Sequence, residues 1–163
     1  MEARAVKFER SESSVHGVVV RYGETASIGD FRERFEPGAF GDTLASPALR
    51  VNLQHRRERP LAIPRFDDTP TALHAAFTLP DTSDGRDARA LMETGVLTGL
   101  SMEFVPVEER FEGGVRVISR AQMLGLALVD YPAYSQSLVE FGKRWLEARS
   151  AGALPGNIRI PFL

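Results

Sequence analysis

The sequence predicts a mainly β domain with packed helices, built as a closed or partly closed antiparallel barrel of about six to seven strands with about three helices outside. Apolar and polar residues alternate along several short segments, which is the period of a half-buried strand. Helical patterns are few and do not alternate regularly with these segments, which argues against a parallel α/β sheet. Gly113-Gly114 separates two of the segments, as the turn of a hairpin does.

The strand segments differ in how clearly they alternate. The one with the strongest pattern places Leu100, Met102 and Phe104 on one face of the strand. Its other face carries Gly99, Ser101 and Glu103, which are small or polar. The predicted strands cover residues 15–22, 49–54, 73–79, 96–107, 115–118 and 123–131.

Helical patterns occur at three places. Residues 37–44 begin with a proline, which suits the first turn of a helix, and carry apolar residues at helical spacing. Residues 84–93 have an apolar side, and Gly95 stands where a left-handed C-cap residue is expected. Residues 137–149 carry a capping-box spacing at their start and an apolar stripe.

Composition excludes several classes of function. The 163 residues are 43% apolar, which fits one domain with a full core. A net charge of -2 gives no basic excess of the kind that nucleic-acid binders carry. The chain has no cysteine, so it has neither disulfides nor thiolate chemistry. No signal-peptide pattern and no membrane-length apolar run occur, so a cytoplasmic protein is expected.

Only one of the three histidines stands at a position that favours chemistry. His16 and His74 lie inside predicted strands and are interpreted as structural. His55 follows the strand of residues 49–54 with the parity of its leucines, so it is expected to face inward at the strand's end. A charged loop follows, and catalytic groups favour such strand ends. Spacing alone does not separate a catalytic from a structural role.

Ser101 is the candidate nucleophile. Its small-residue face leaves room for another chain to approach, but a serine needs a nearby base to become nucleophilic. A histidine from a distant strand can supply that base, because triads are defined by geometry rather than chain order. The alternative is a serine on a solvent-facing strand. No histidine spacing fits a metal site and no Gly-rich phosphate loop occurs, so no metal or cofactor is expected.

Several segments together resemble the prohead protease family of tailed bacteriophages, whose fold is similar to that of the herpesvirus assemblin protease. The likeness covers about residues 15–143 in the family's order. The segments are VHGVVV at 15–20 with Tyr22, FEPGAF at 35–40, VNLQH at 51–55, GVLTGLSMEF at 95–104 and LALVDYPA at 126–133.

The resemblance implies that Ser101 is the nucleophile and His55 the general base. The family usually has an acidic residue near the start of the closing strand, where this chain has Gly125. Asp130, in that strand, is the preferred third catalytic residue, although its parity requires a bulge or a strand end. Glu103, on the face of Ser101, is the substitute. A plain dyad is the remaining alternative.

The resemblance also implies a serine endopeptidase that cleaves the scaffolding region of the phage major capsid protein during procapsid maturation. It places a prohead protease domain at residues 1–145, with the end of a C-terminal helix and a tail at 146–163. Self-cleavage is expected in the tail after that helix, because residues 151–160 are punctuated by Gly and Pro. The enzyme would act inside the procapsid in the bacterial host cytoplasm, self-associate, and need no membrane, nucleic acid or cofactor. The alternative, motivated by Gly125, is an inactive capsid-assembly or scaffold-like factor with the same fold.

Overall fold

Two β-sheets and one α-helix make up the described part of the chain, which comprises residues 2–7, 9–11, 14–28 and 30–130 of a computed structural model. The strands are β1 (Glu2–Lys7), β2 (Glu9–Ser11), β3 (Ser14–Arg21), β4 (Ala26–Ile28), β5 (Phe31–Phe35), β6 (Val51–Leu53), β7 (Arg56–Ala62), β8 (Arg65–Asp68), β9 (Ala72–Thr78), β10 (Gly99–Glu112) and β11 (Val115–Val129). The helix α1 spans Ser83–Glu93, and a 3₁₀ helix spans Gly41–Ala45.

The larger sheet has seven strands and is organised around the long β10–β11 hairpin. The predicted turn is confirmed, since Gly113 and Gly114 join the two strands with φ values of 55° and 76°. β1 pairs with the outer edge of β10. The other edge of β11 pairs in parallel with β5 near its start and with β6 near its end, and β4 and β7 extend these two branches.

The smaller sheet has four strands in the order β2-β3-β9-β8. Apolar residues of both sheets belong to one buried core, for example Val15 and Phe77 from the smaller sheet and Leu100 and Leu126 from the larger one. Burial of these alternating apolar residues is the main favourable term in folding. It also fixes which face of β10 points away from the core, and that face carries Ser101.

The helix α1 has the boundaries that its sequence pattern predicts, to within one residue. The Thr82 hydroxyl caps its start by accepting a hydrogen bond of 3.1 Å from the N–H of Gly85. Gly85 packs so tightly that an added Cβ would lie 2.0 Å from the carbonyl oxygen of Pro80. Arg59 of β7 donates hydrogen bonds to Asp84, which lower the pKa of that carboxyl and tie the helix to β7. None of the described helices is long and apolar enough to cross a membrane.

The predicted barrel is wrong, because the two sheets are separate and neither closes on itself. The error has two physical causes. Polar segments without clear alternation, such as β4, β7 and β8, also pair as strands, so the described residues contain eleven strands. In addition, one edge of β11 is shared by β5 and β6, so the sheet branches and ends at β4 and β7 instead of returning to β1.

The prediction of about three helices is also wrong for the described residues, where α1 is the one α-helix. Residues 37–44 form turns and part of the 3₁₀ helix. Gly38 and Gly41 have φ values of 74° and 44°, which interrupt a right-handed α-helix. The predicted helix at residues 137–149 lies outside the described residues. The domain boundary proposed at residue 145 lies there as well and stays a prediction.

Candidate active site

His55 lies in the tight turn between β6 and β7. Gln54 and His55 are the two turn residues, and their φ values of 53° and 58° identify a primed hairpin turn. Such values cost a non-glycine residue about 1–2 kcal/mol, so the surroundings must hold the turn in place. The N–H of Gln54 donates to the carbonyl of Leu128 at 2.8 Å, and its side-chain oxygen accepts from the N–H of Asp130 at 3.2 Å. Both bonds attach the turn to the end of β11.

The position of His55 differs from the expected strand end. It follows β6 by two residues, and its side chain is 34% exposed instead of facing into the core. The charged segment after His55 is the strand β7 and not the predicted loop. The inward direction expected from alternation does not hold either, because His55 lies in the turn and no longer in the strand.

Ser101 lies in the middle of β10, where Ala127 of β11 is its partner in the register. Ala127 is in turn the partner of Asn52 on β6. Directly paired residues point to the same face of a sheet, so Ser101, Ala127 and Asn52 form one transverse row, called here the serine row. The row lies on the face opposite Leu100, and Ser101 itself is 2% exposed.

Glu103 begins a second row, since its partner on β11 is Gly125. The carboxylate is 2% exposed, and its Oε1 lies 2.5 Å from Nδ1 of His55. A buried carboxylate needs a hydrogen-bonding partner, and His55 supplies one. If Nδ1 carries the proton, Nε2 is left as the acceptor that a general base requires.

Gly125 makes this contact possible. A Cβ built on it would lie 3.1 Å from the carbonyl oxygen of Arg50 and 3.9 Å from Oε2 of Glu103. A longer side chain would therefore crowd the Glu103 carboxylate that contacts His55. Gly125 stands where the family usually has an acidic residue, and its lack of a side chain leaves room for the Glu103 carboxylate from β10.

The serine row lies between the two partners of this contact. The turn that carries His55 is hydrogen-bonded to Leu128, which follows Ala127 on β11. Glu103 pairs with Gly125, which precedes Ala127 on the same strand. The contact between the two side chains therefore spans the level of Ser101. The hydrogen bonds of the described residues do not include one between Ser101 and His55. Such bonds are often long in free enzymes and shorten when substrate binds.

The remaining predicted site residues lie elsewhere. Asp130 is exposed just after β11, and its described hydrogen bonds use its backbone, with the N–H bound to Gln54 and the carbonyl to Thr98. His16 and His74 belong to β3 and β9 in the smaller sheet. Within the described ranges, no group of three or more residues could hold a metal ion. Asn52 was not singled out from the sequence, although its alternation with leucines places it on the polar face.

A histidine oriented by a buried carboxylate beside a strand serine can perform nucleophilic acyl transfer. Comparisons with known proteins agree with this chemistry. A family model described as caudovirus prohead serine protease matches residues 1–151. The solved structure of the bacteriophage T4 capsid assembly protease, gp21, matches with a TM-score of 0.58 at 8% identity, covering 81% of this chain and 100% of that one. At that identity the likeness concerns the fold. No curated protein matches the chain.

Proposed function

The chain belongs to the caudovirus prohead serine protease family, and we propose that Ser101 is its nucleophile, His55 its general base and Glu103 the carboxylate that orients the base. Membership confirms the resemblance and makes the protein a serine protease of capsid maturation. The observation that supports the residue assignment is the 2.5 Å contact between His55 Nδ1 and Glu103 Oε1, made across the row that contains Ser101.

In the proposed reaction, His55 Nε2 accepts the Ser101 proton as Oγ attacks a backbone carbonyl carbon. The tetrahedral intermediate collapses, the C–N bond breaks, and His55 gives its proton to the leaving amine. Water then attacks the acyl-enzyme with His55 again as base, and Ser101 regains its proton. Glu103 keeps the imidazole in the correct tautomer and stabilises the imidazolium in both halves of the reaction.

The sequence favours Asp130 as the third catalytic residue, whereas the geometry favours Glu103. The Glu103 carboxylate is buried against the imidazole, whereas Asp130 is exposed. Exposure matters because a solvated carboxylate interacts weakly with a neighbouring charge. The same contact supports activity over the inactive scaffold-like alternative, since Gly125 is compensated by an acid from β10.

The proposed substrate is the scaffolding region of the major capsid protein, cleaved inside the procapsid in the host cytoplasm. Capsid proteins are the substrates of a capsid-maturation protease, and enclosure raises their local concentration, so that weak intrinsic binding suffices. Self-association and self-cleavage of the tail within residues 151–160 belong to the same proposal. No cofactor, membrane or nucleic acid takes part in the proposed reaction.

A serine-directed phosphonate probe tests the nucleophile on the full chain. We expect one covalent adduct, located at Ser101 by peptide mapping with mass spectrometry. His55→Ala should abolish labelling, because the hydroxyl is scarcely ionised without its base. His74→Ala is the matched control and should be labelled like the wild type, since His74 lies in the other sheet. Absence of an adduct on the folded protein would favour the scaffold-like alternative.

A larger side chain at position 125 tests whether the contact between Glu103 and His55 is needed for catalysis. Gly125→Val is expected to lower kcat for capsid-protein cleavage by about 10²-fold, the effect of a misplacement of about 1 Å in a catalytic group. The reason is that the new side chain crowds Oε2 of Glu103. Turnover is measured with the capsid protein as substrate, and circular dichroism checks the fold. Unchanged turnover in a folded variant would contradict the proposed contact.

A further inference from the structure

Acyl transfer needs hydrogen-bond donors for the oxyanion, and none of the three assigned residues serves that purpose. We propose that the side-chain amide of Asn52 donates a hydrogen bond to the oxyanion of the tetrahedral intermediate. This inference rests on the proposed function of Ser101 and adds a catalytic residue to it. Preorganised amide donors are among the groups that stabilise such intermediates.

The backbone around Ser101 is the first place to look for donors, and it is already occupied. β10 is paired on both edges at this point, with Ala127 on one side and Ala5 of β1 on the other. The N–H groups of a strand paired on both sides are committed to the sheet. The strand that carries the nucleophile therefore offers no free N–H group of its own, and the side chains of the serine row are the next source to consider.

Asn52 is the polar end of the serine row. Strands lie about 4.8 Å apart, so the Cα atoms of Asn52 and Ser101 are about 10 Å apart with Ala127 between them. A carbonyl carbon bound to Ser101 Oγ would lie beside Ala127, whose side chain is a single methyl group. Its oxygen can then point toward the amide from the third strand.

The burial of Asn52 supports a functional role. The residue is 7% exposed and lies between Val51 and Leu53, which belong to the core. The hydrogen bonds of the described residues leave its side-chain amide without a protein partner. Among the described residues, the fully buried side-chain nitrogen and oxygen atoms that lack a partner are Nε of Arg21 and Nε of Arg89, so the Asn52 amide still reaches solvent. An amide that is largely buried but still accessible can donate to a substrate oxygen held beside it.

The test compares Asn52→Leu and Asn52→Ala with the wild type, using a capsid-derived peptide and a peptide boronate whose tetrahedral adduct imitates the intermediate. We expect kcat to fall by about 10²–10³-fold with KM nearly unchanged, the loss typical of one missing oxyanion donor. Boronate affinity should fall in parallel with kcat/KM. Alanine cannot clash, so it keeps the test valid if the leucine variant fails to fold.

Thr98→Val is the matched control. It removes another buried polar group, one that hydrogen-bonds to the Asp130 carbonyl outside the serine row, and kcat should stay within about twofold of the wild type. Wild-type kcat in folded Asn52 variants would overturn the inference, as would lost activity with unchanged boronate affinity. Either result would still be compatible with the proposed triad. Cleavage by Ser101→Ala, in contrast, would contradict the proposed function itself.

Discussion

Ser101→Ala is expected to lower kcat for cleavage of the capsid protein by about 10⁶-fold, the loss seen when the nucleophile of a serine protease is removed. In the proposed mechanism the Ser101 Oγ forms the acyl-enzyme, and no neighbouring group on the serine row can replace it. The change removes one oxygen from a residue that is 2% exposed, so the fold should be kept. Co-expression with the capsid protein, followed by mass spectrometry, measures the product.

Ser119→Ala provides the matched control for that experiment. Ser119 hydrogen-bonds to the Glu108 carbonyl on the exposed part of the hairpin, far along β11 from the site. Its variant should cleave like the wild type. Intact-mass measurements over time also test self-cleavage. The tail should stay intact in Ser101→Ala, whereas the control should be cut within residues 151–160. Equal cleavage by both variants would refute the mechanism.

Glu103→Gln is expected to lower kcat by about 10⁴-fold, the loss that follows when the orienting carboxylate of a triad becomes an amide. An amide can donate to Nδ1 and so stabilise the wrong tautomer, and it carries no charge to balance the imidazolium. Asp130→Asn should cost less than about tenfold, because the Asp130 carboxylate is exposed. Both kcat values are measured under identical conditions, with thermal melts to confirm folding.

The pair of variants separates the three hypotheses for the third residue. A steep loss in Asp130→Asn with little effect in Glu103→Gln would restore Asp130 to the role. Small losses in both would indicate a catalytic dyad. Because a buried glutamine replaces a paired carboxylate, the melting temperature of Glu103→Gln must be compared first, and kcat is then taken from the fully folded fraction.

The sequence was informative wherever a property is local. Alternation located β10 and placed Ser101 and Glu103 on one face, and capping residues located α1. The sequence gives Glu103 only as a substitute for Asp130 as the partner of His55, because the choice between them depends on the parallel pairing of β6 with β11 and on the absence of a side chain at Gly125. Neither the pairing of two distant strands nor the absence of a side chain at one position produces a periodic pattern in the sequence. The barrel prediction failed for the same reason, since strand order is a tertiary property.

The parallel pairing of β6 with β11 has a consequence for when the enzyme becomes active during synthesis. His55 is separated by 48 residues from Glu103, and its turn is held by β11, the last strand in the described part of the chain. Pairings between distant segments form late in folding because loop closure precedes any gain in contacts. A ribosome-bound chain that still lacks β11 also lacks the strand that holds the turn of His55 in place. If Ser101 and His55 act as proposed, this topology delays proteolysis until the sheet is complete.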